Sequence, residues 1–96
     1  MVAARFKALS DPTRLQLVQA LHERELNVSQ LVEISGTTQA NVSKHLAVLA
    51  EGMILGRRRA GSNVFYYIAD DSILQICDLM CRKLHEELDR RAAELD

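Results

Sequence analysis

Tryptophan is absent from this chain of 96 residues, and two Phe and two Tyr are its only aromatics. Leu, Val, Ile and Ala must therefore build any interior. One Pro and four Gly leave little room for long irregular loops. No apolar run approaches the ~20 residues that a membrane helix needs. The opening Met1-Val2-Ala3-Ala4-Arg5-Phe6-Lys7 carries no signal-peptide hydrophobic region. The expectation is a cytoplasmic protein with no membrane partner. Two Cys in that setting are expected to be reduced thiols and not a structural bridge. There is no Gly-rich phosphate loop, no His-Glu metal motif and no nucleophile–base pair, so the sequence argues against an enzyme.

What is present is a folded chain. Hydrophobic residues are 48 %, too many for disorder, and the length fits one domain over residues 1–96 with a modest core. The stretch Thr37-Thr38-Gln39-Ala40-Asn41-Val42-Ser43-Lys44-His45-Leu46-Ala47-Val48-Leu49 is the most informative. Val42, Leu46 and Leu49 recur at helical spacing and face a core. Gln39, Asn41, Ser43, Lys44 and His45 form the opposite face, rich in hydrogen-bonding groups and free of acids before Glu51. An ordinary solvated helix pairs Glu with Lys, whereas this face suits base edges and phosphates.

Net charge is −1, but it is unevenly spread. Thr38 to Ile68 holds Lys44, Arg57, Arg58 and Arg59 against Glu51 alone. Ala69 to Asp96 holds four basic and eight acidic residues. The positive charge is therefore concentrated beside the candidate reading helix.

Around that helix the sequence predicts a short helix to Leu9, with Val2, Phe6 and Leu9 on one face. Asp11 caps a second helix from Pro12 to about Glu23. Glu25-Leu26-Asn27 is short and extended. Asn27 caps a third helix, Val28 to about Ile34, ending at Ser35-Gly36. Thr38 caps the fourth, about Gln39 to Glu51, and Gly52 closes it. Met53-Ile54-Leu55 and Val64-Phe65-Tyr66-Tyr67-Ile68 read as two strands, with Arg57-Arg58-Arg59-Ala60-Gly61-Ser62-Asn63 between them. Asp70-Asp71-Ser72 opens a long last helix reaching about Glu94.

The expected fold class is mainly α with a small β-hairpin: a winged helix-turn-helix. The helix-turn-helix spans about 28–51, the wing about 53–68 and the terminal helix about 70–94. The candidate DNA-facing set is Thr38, Gln39, Ala40, Asn41, Ser43, Lys44 and His45, with Arg57, Arg58, Arg59 and Ser62 on the wing. Gln39, Asn41 and Ser43 are expected to read bases, and Lys44, His45 and the wing arginines to hold the backbone. Strand alternation sends Arg57 and Arg59 to one side and Arg58 to the other, so at least one serves another purpose. Arg14 is placed to meet a phosphate or Asp11. On the last helix Ile73, Cys77, Met80, Leu84 and Leu88 form an apolar stripe too long for so small a domain to bury. With Val2 and Phe6 it predicts a two-fold dimer interface. The expected partners are double-stranded operator DNA and a second copy of the chain, with half-sites about 10 base pairs apart or a small multiple.

The chain resembles the ArsR/SmtB family of small dimeric winged-helix repressors. The matching pieces are Phe6-Lys7-Ala8-Leu9-Ser10-Asp11-Pro12-Thr13-Arg14-Leu15, Glu25-Leu26-Asn27-Val28-Ser29-Gln30-Leu31, Gln39 to Leu49, and Gly56-Arg57-Arg58-Arg59-Ala60-Gly61-Ser62-Asn63-Val64-Phe65-Tyr66-Tyr67. The resemblance implies operator binding, released by a metal, a metalloid or sulfur oxidation. It also exposes departures. Asn27 and Ser29 stand where metal-sensing members carry a Cys-x-Cys. On the last helix Asp70 and Glu86 could match a zinc site, but Ser72 and Lys83 replace its imidazoles. No metal site is assigned on this basis.

Cys77 and Cys81 remain, four apart and so on one helix face, roughly 5–6 Å apart at Cβ. Such thiols could hold a soft metalloid such as As(III) with a third ligand from a partner chain, or be oxidised or persulfidated. No cofactor is required. The alternative is that both only pack, in a repressor without an effector site. Two further readings stay open: a winged-helix module that binds protein through the same surface, and a thiol redox protein, although Cys77-x-x-x-Cys81 lacks the usual Cys-x-x-Cys spacing.

Overall fold

The computed structural model describes residues 2–95. Met1, the first residue of the predicted first helix, lies outside them. The elements are α1 (Val2–Leu9), α2 (Pro12–Ala20), β1 (Leu26–Asn27), α3 (Val28–Ser35), α4 (Gln39–Glu51), β2 (Leu55–Ala60), β3 (Asn63–Ile68) and α5 (Asp71–Glu94). Five helices and a three-stranded antiparallel sheet of order β1-β3-β2 make a winged helix-turn-helix.

Local chemistry sets most of the boundaries. Asp11 caps α2 by accepting from the Arg14 amide, and Pro12 fills a first-turn position where no amide bond is lost. Asn27 and Gln30 form a reciprocal capping box on α3. Gly36 ends α3 at φ 70, a left-handed conformation cheap only for glycine. Thr38 caps α4 through the Asn41 amide.

Two expectations need correction and two are sharpened. Helix α2 stops at Ala20 and not near Glu23. The extended Leu26-Asn27 is a third strand, paired with Tyr66 and Phe65. Met53 and Ile54 are not strand residues, since β2 begins at Leu55, while Gly52 closes α4 as its C-cap. Gly52 has φ −77, while Met53 sits at φ 60. The Met53 amide bonds Ala50 O at 3.0 Å and the Ile54 amide bonds Leu49 O at 3.0 Å, so a methionine holds the left-handed place of a Schellman turn. Finally, β2 runs on through the arginine run, to which strand alternation applies as expected. Arg57, Arg58 and Arg59 lie within β2 opposite Tyr66, Phe65 and Val64, and only Gly61-Ser62 forms the tip.

The core is aliphatic, as an aromatic-poor chain requires. Leu17, Val18, Leu26, Leu31, Val42, Leu46, Leu49 and Ile54 are fully buried, joined by Tyr66 as the one buried aromatic among the described residues. Val42, Leu46 and Leu49 drive the inner face of α4 into this core, which fixes the direction of its outer face. Ile73 is 4 % exposed and belongs to this same core, so it is not part of a dimer surface. The rest of α5 is different: from Asp78 to Leu95 every residue except Glu87 is exposed.

Candidate nucleic-acid interface

The reading helix is presented by the turn that precedes it. Gln16 Nε2 donates to Ile34 O at 3.3 Å and holds the end of α3 against α2. Gly36 turns the chain, and Thr38 starts α4. Gln39, Ala40, Ser43 and Lys44 then stand exposed on one side. Ala47 is exposed one turn further on and extends that face, a member missed on the sequence although its spacing of three or four from Ser43 and Lys44 was visible. Small side chains at 40, 43 and 47 leave room for a base edge or a thymine methyl. Asn41 is half-buried, and its Nδ2 donates to Thr37 Oγ1 at 3.2 Å. One amide proton and the carbonyl remain for an outside partner.

His45 departs from the expected face. It is half-buried, and its Nδ1 lies 3.1 Å from Arg14 Nη1. Arg14 is a permanent donor, so Nδ1 accepts and the proton belongs on Nε2. Arg14 is half-buried, and among the described residues its guanidinium bonds Ala8 O, Lys7 O and His45 and not the Asp11 carboxylate. Asp11 sits below the ordinary carboxylate range, first because the Arg14 amide bonds it, with a smaller contribution from the Thr13 amide.

The wing divides its arginines. Arg58 Nε donates to Glu25 Oε1 at 2.7 Å and Nη2 to Oε2 at 3.2 Å, with the guanidinium 5.2 Å from the Phe65 ring centroid. That fork-on-carboxylate geometry ties the wing to the segment before β1. The Glu25 hydrogen bond also raises the Arg58 pKa. Arg58, expected to face a duplex, is thus occupied. Arg57 and Arg59 share the opposite face of β2 with Leu55, and among the described residues neither they nor Lys44 has an ion-pair partner. At the tip Gly61 has φ 64 and carries Ser62 outward, the pattern of a type II′ turn.

The two thiols lie elsewhere. Cys77 is half-buried and Cys81 exposed, and both are free. They line an open apolar groove with Phe6 and Leu9 of α1, Leu15 of α2, and Ile76 and Met80 of α5. Burial raises the Cys77 pKa, with Cys81 and Asp78 adding to the shift. Of the expected interface residues, Val2, Phe6, Met80, Leu84 and Leu88 are 52–68 % exposed. Leu79 at 53 % joins them. Among the described residues there is no cluster of three or more His, Cys, Asp or Glu placed to hold a metal, and no helix is long and apolar enough to cross a membrane.

A capped helix-turn-helix with a basic hairpin beside its second helix defines a winged helix-turn-helix protein. Comparison with known proteins agrees. The family described as "Bacterial regulatory protein, arsR family" matches residues 11–52. The "Transcriptional repressor SmtB homolog" of Synechocystis is 36 % identical over 75 residues, which is 78 % of this chain but only 57 % of that protein. The HTH-type transcriptional regulator MJ1325 of Methanocaldococcus jannaschii is 36 % identical over 76 residues, 78 % of this chain and 85 % of its own length. Among solved structures, the homodimeric winged helix-turn-helix DNA-binding domain of Mb0332 from Mycobacterium bovis aligns with TM-score 0.85 at 28 % identity, covering 93 % of this chain and 82 % of that one. The chain belongs to the ArsR family. This is a family of transcriptional regulators and not of enzymes.

Proposed function

We propose that this chain is a single winged-helix domain that acts as a cytoplasmic, homodimeric, sequence-specific repressor on double-stranded operator DNA. In this reading α4 of each copy enters a major groove. Gln39, Asn41 and Ser43 meet base edges, with Ala40 and Ala47 allowing close approach. Lys44, Arg57, Arg59, Ser62 and the Thr38 end of α4 hold the phosphates. The observation that carries the reading is local: Lys44, Arg57 and Arg59 are exposed and without an ion pair among the described residues, on a helix face and a strand that carry hydrogen-bonding groups. Exposed Val2, Phe6, Met80, Leu84 and Leu88 supply the self-association surface. The homodimeric state of the Mb0332 domain supports this assignment.

The effector assignment goes with it. Cys77 and Cys81 are the candidates for a thiol-reactive signal, either As(III) or an oxidant or reactive sulfur species. Metalloid binding would displace thiol protons and would require a third ligand from the second copy.

Fluorescence anisotropy of the reduced protein on its own upstream DNA tests the whole reading. Tight, salt-dependent binding that is lost with arsenite or a persulfide donor, but kept in Cys77→Ser/Cys81→Ser, supports a thiol-controlled repressor. Binding unchanged by either reagent keeps the repressor and returns the cysteines to packing. No duplex binding at low salt refutes the DNA reading and favours a protein-interaction module.

A further inference from the structure

Helices α1 and α4 face each other across an open groove lined by Ala4, Lys7, Ala8, Val48, Glu51 and Gly52. Side-chain packing does not close this gap, and two arginines bridge it instead. At the C-terminal end of α4, Arg5 Nε donates to Gly52 O at 3.1 Å while Arg5 Nη1 pairs with Asp70 at 2.8 Å. At the middle of α4, Arg14 Nε donates to Ala8 O, Nη2 to Lys7 O at 3.4 Å and Nη1 to His45 Nδ1 at 3.1 Å. Arg14 has no carboxylate partner among the described residues. Its rigid fork is spent on the last-turn carbonyls of α1 and on one ring nitrogen of the reading helix.

We infer that Arg14 is a positioning residue for DNA recognition: through His45 it sets the rotation of α4 against α1, and neither residue touches DNA. The inference rests on the proposed reading of α4 as the DNA helix. The physical reason is leverage. Arg5 holds α4 only near Gly52, about four turns from Gln39 at 3.6 residues per turn. His45 lies midway, and its neighbours Lys44 and Ser43 point outward. A small rotation about the Arg5 anchor would displace Gln39 and Ser43 from base edges, where ångström errors are costly. Lysine cannot replace Arg14, because a point charge with three donors does not reproduce a planar fork that spans two carbonyls and an imidazole.

The test uses Arg14→Lys, His45→Asn, His45→Leu and the double variant Arg14→Lys/His45→Leu, with operator affinity, salt dependence and amide hydrogen exchange as readouts. Asn places a carbonyl acceptor near the position of Nδ1, whereas Leu removes it. Arg14→Lys and His45→Leu should each lose about tenfold in operator affinity, the loss expected for a charge-assisted hydrogen bond. The double variant should be no worse than either alone, and His45→Asn should bind like wild type. The salt slope should stay at the wild-type value, because no phosphate contact is removed. Arg14→Lys that binds as wild type, or additive losses in the double variant, would overturn the inference. So would a shallower salt slope in His45→Asn, which would mean direct phosphate contact. Amide exchange without DNA separates the two claims. Faster exchange at Val42 to Leu46 in Arg14→Lys, with α3 unchanged, supports the clamp even if wild type binds no duplex. Unchanged exchange there overturns it.

Discussion

The division of labour among the wing arginines leads to a quantitative expectation. Lys44, Arg57 and Arg59 have no internal ion-pair partner among the described residues, which gives six uncommitted cations on the proposed DNA-facing surface of a dimer. If each neutralises one phosphate, the slope of log affinity against log salt is about −5, at about −0.9 per contact. Over a rise from about 50 to about 200 mM salt this is roughly a thousand-fold loss of affinity. Arg59→Ala removes two contacts per dimer, so the slope should fall to about −3.6 and the loss to roughly a hundred-fold. Arg58 sets the contrast. Its guanidinium is already neutralised by Glu25 at 2.7 Å, so replacing the whole pair with Arg58→Met/Glu25→Gln should leave the slope at its wild-type value. Anisotropy titrations across that salt range decide the matter. An Arg59→Ala slope equal to wild type, or a paired Arg58 variant as shallow as Arg59→Ala, would refute the assignment drawn from the ion-pairing pattern.

Four other expectations follow from particular residues. Met53→Gly should raise stability by up to about 1 kcal/mol in denaturant unfolding, because the left-handed φ of 60 no longer works against a Cβ. Asp11 is held below its ordinary range by the Arg14 amide, and Asp70 by the Ser72 hydroxyl and amide. Depressed carboxylates contribute stability that is fully present above pH ~4 and is lost as pH falls through their folded values. Asp11→Asn/Asp70→Asn keeps the caps, so Tm should fall less steeply below pH ~4 than in wild type. Raised by burial, Cys77 should react with iodoacetamide after the exposed Cys81 at neutral pH and gain rate as pH rises; peptide mass spectrometry reads the order. Met80→Glu/Leu84→Glu should shift the chain to monomer in analytical ultracentrifugation with its helical circular dichroism retained, since both side chains are more than half exposed and support no core.

The parts of this fold that were legible are those encoded locally. The boundaries of α4 and its buried Val42, Leu46 and Leu49 follow from helical spacing and a Thr cap. The caps at Asp11, Asn27 and Asp70 follow from the same short-range chemistry. What was not legible depends on partners far along the chain. Strand alternation separated Arg58 from Arg57 and Arg59, but the extent of β2 is set by pairing with Val64, Phe65 and Tyr66. Leu26-Asn27 becomes a strand only because Phe65 and Tyr66 lie alongside. Ile73 sits at the correct spacing for the exposed stripe of α5, but it is close enough to the start of the helix to meet the body. The contacts Arg14–His45 and Arg58–Glu25 span 31 and 33 residues, and no periodicity signals them. Spacing could show which side chains share a face, but not which of those faces were already engaged.

That distinction explains how a chain of net charge −1 can present a DNA-binding surface. On α5 three of the four cations are balanced within one turn of the helix, Lys83 by Glu86 at 3.7 Å and Arg90 and Arg91 by Glu87, while Arg82 has no ion pair among the described residues. Arg5 is spent on Asp70 and Arg58 on Glu25. These pairs are local and add little field at a distance, because opposite charges a few ångströms apart cancel beyond a Debye length of about 8–10 Å. Lys44, Arg57 and Arg59 are not cancelled in this way, and β2 brings the two arginines to the same side of the molecule as α4. Six of the thirteen acids are carried on α5, which extends a molecule 56 Å long. A phosphate backbone approaching α4 therefore meets a positive field of short range and fixed position. Net charge does not predict that field, whereas the uncommitted cations that share a side with α4 do.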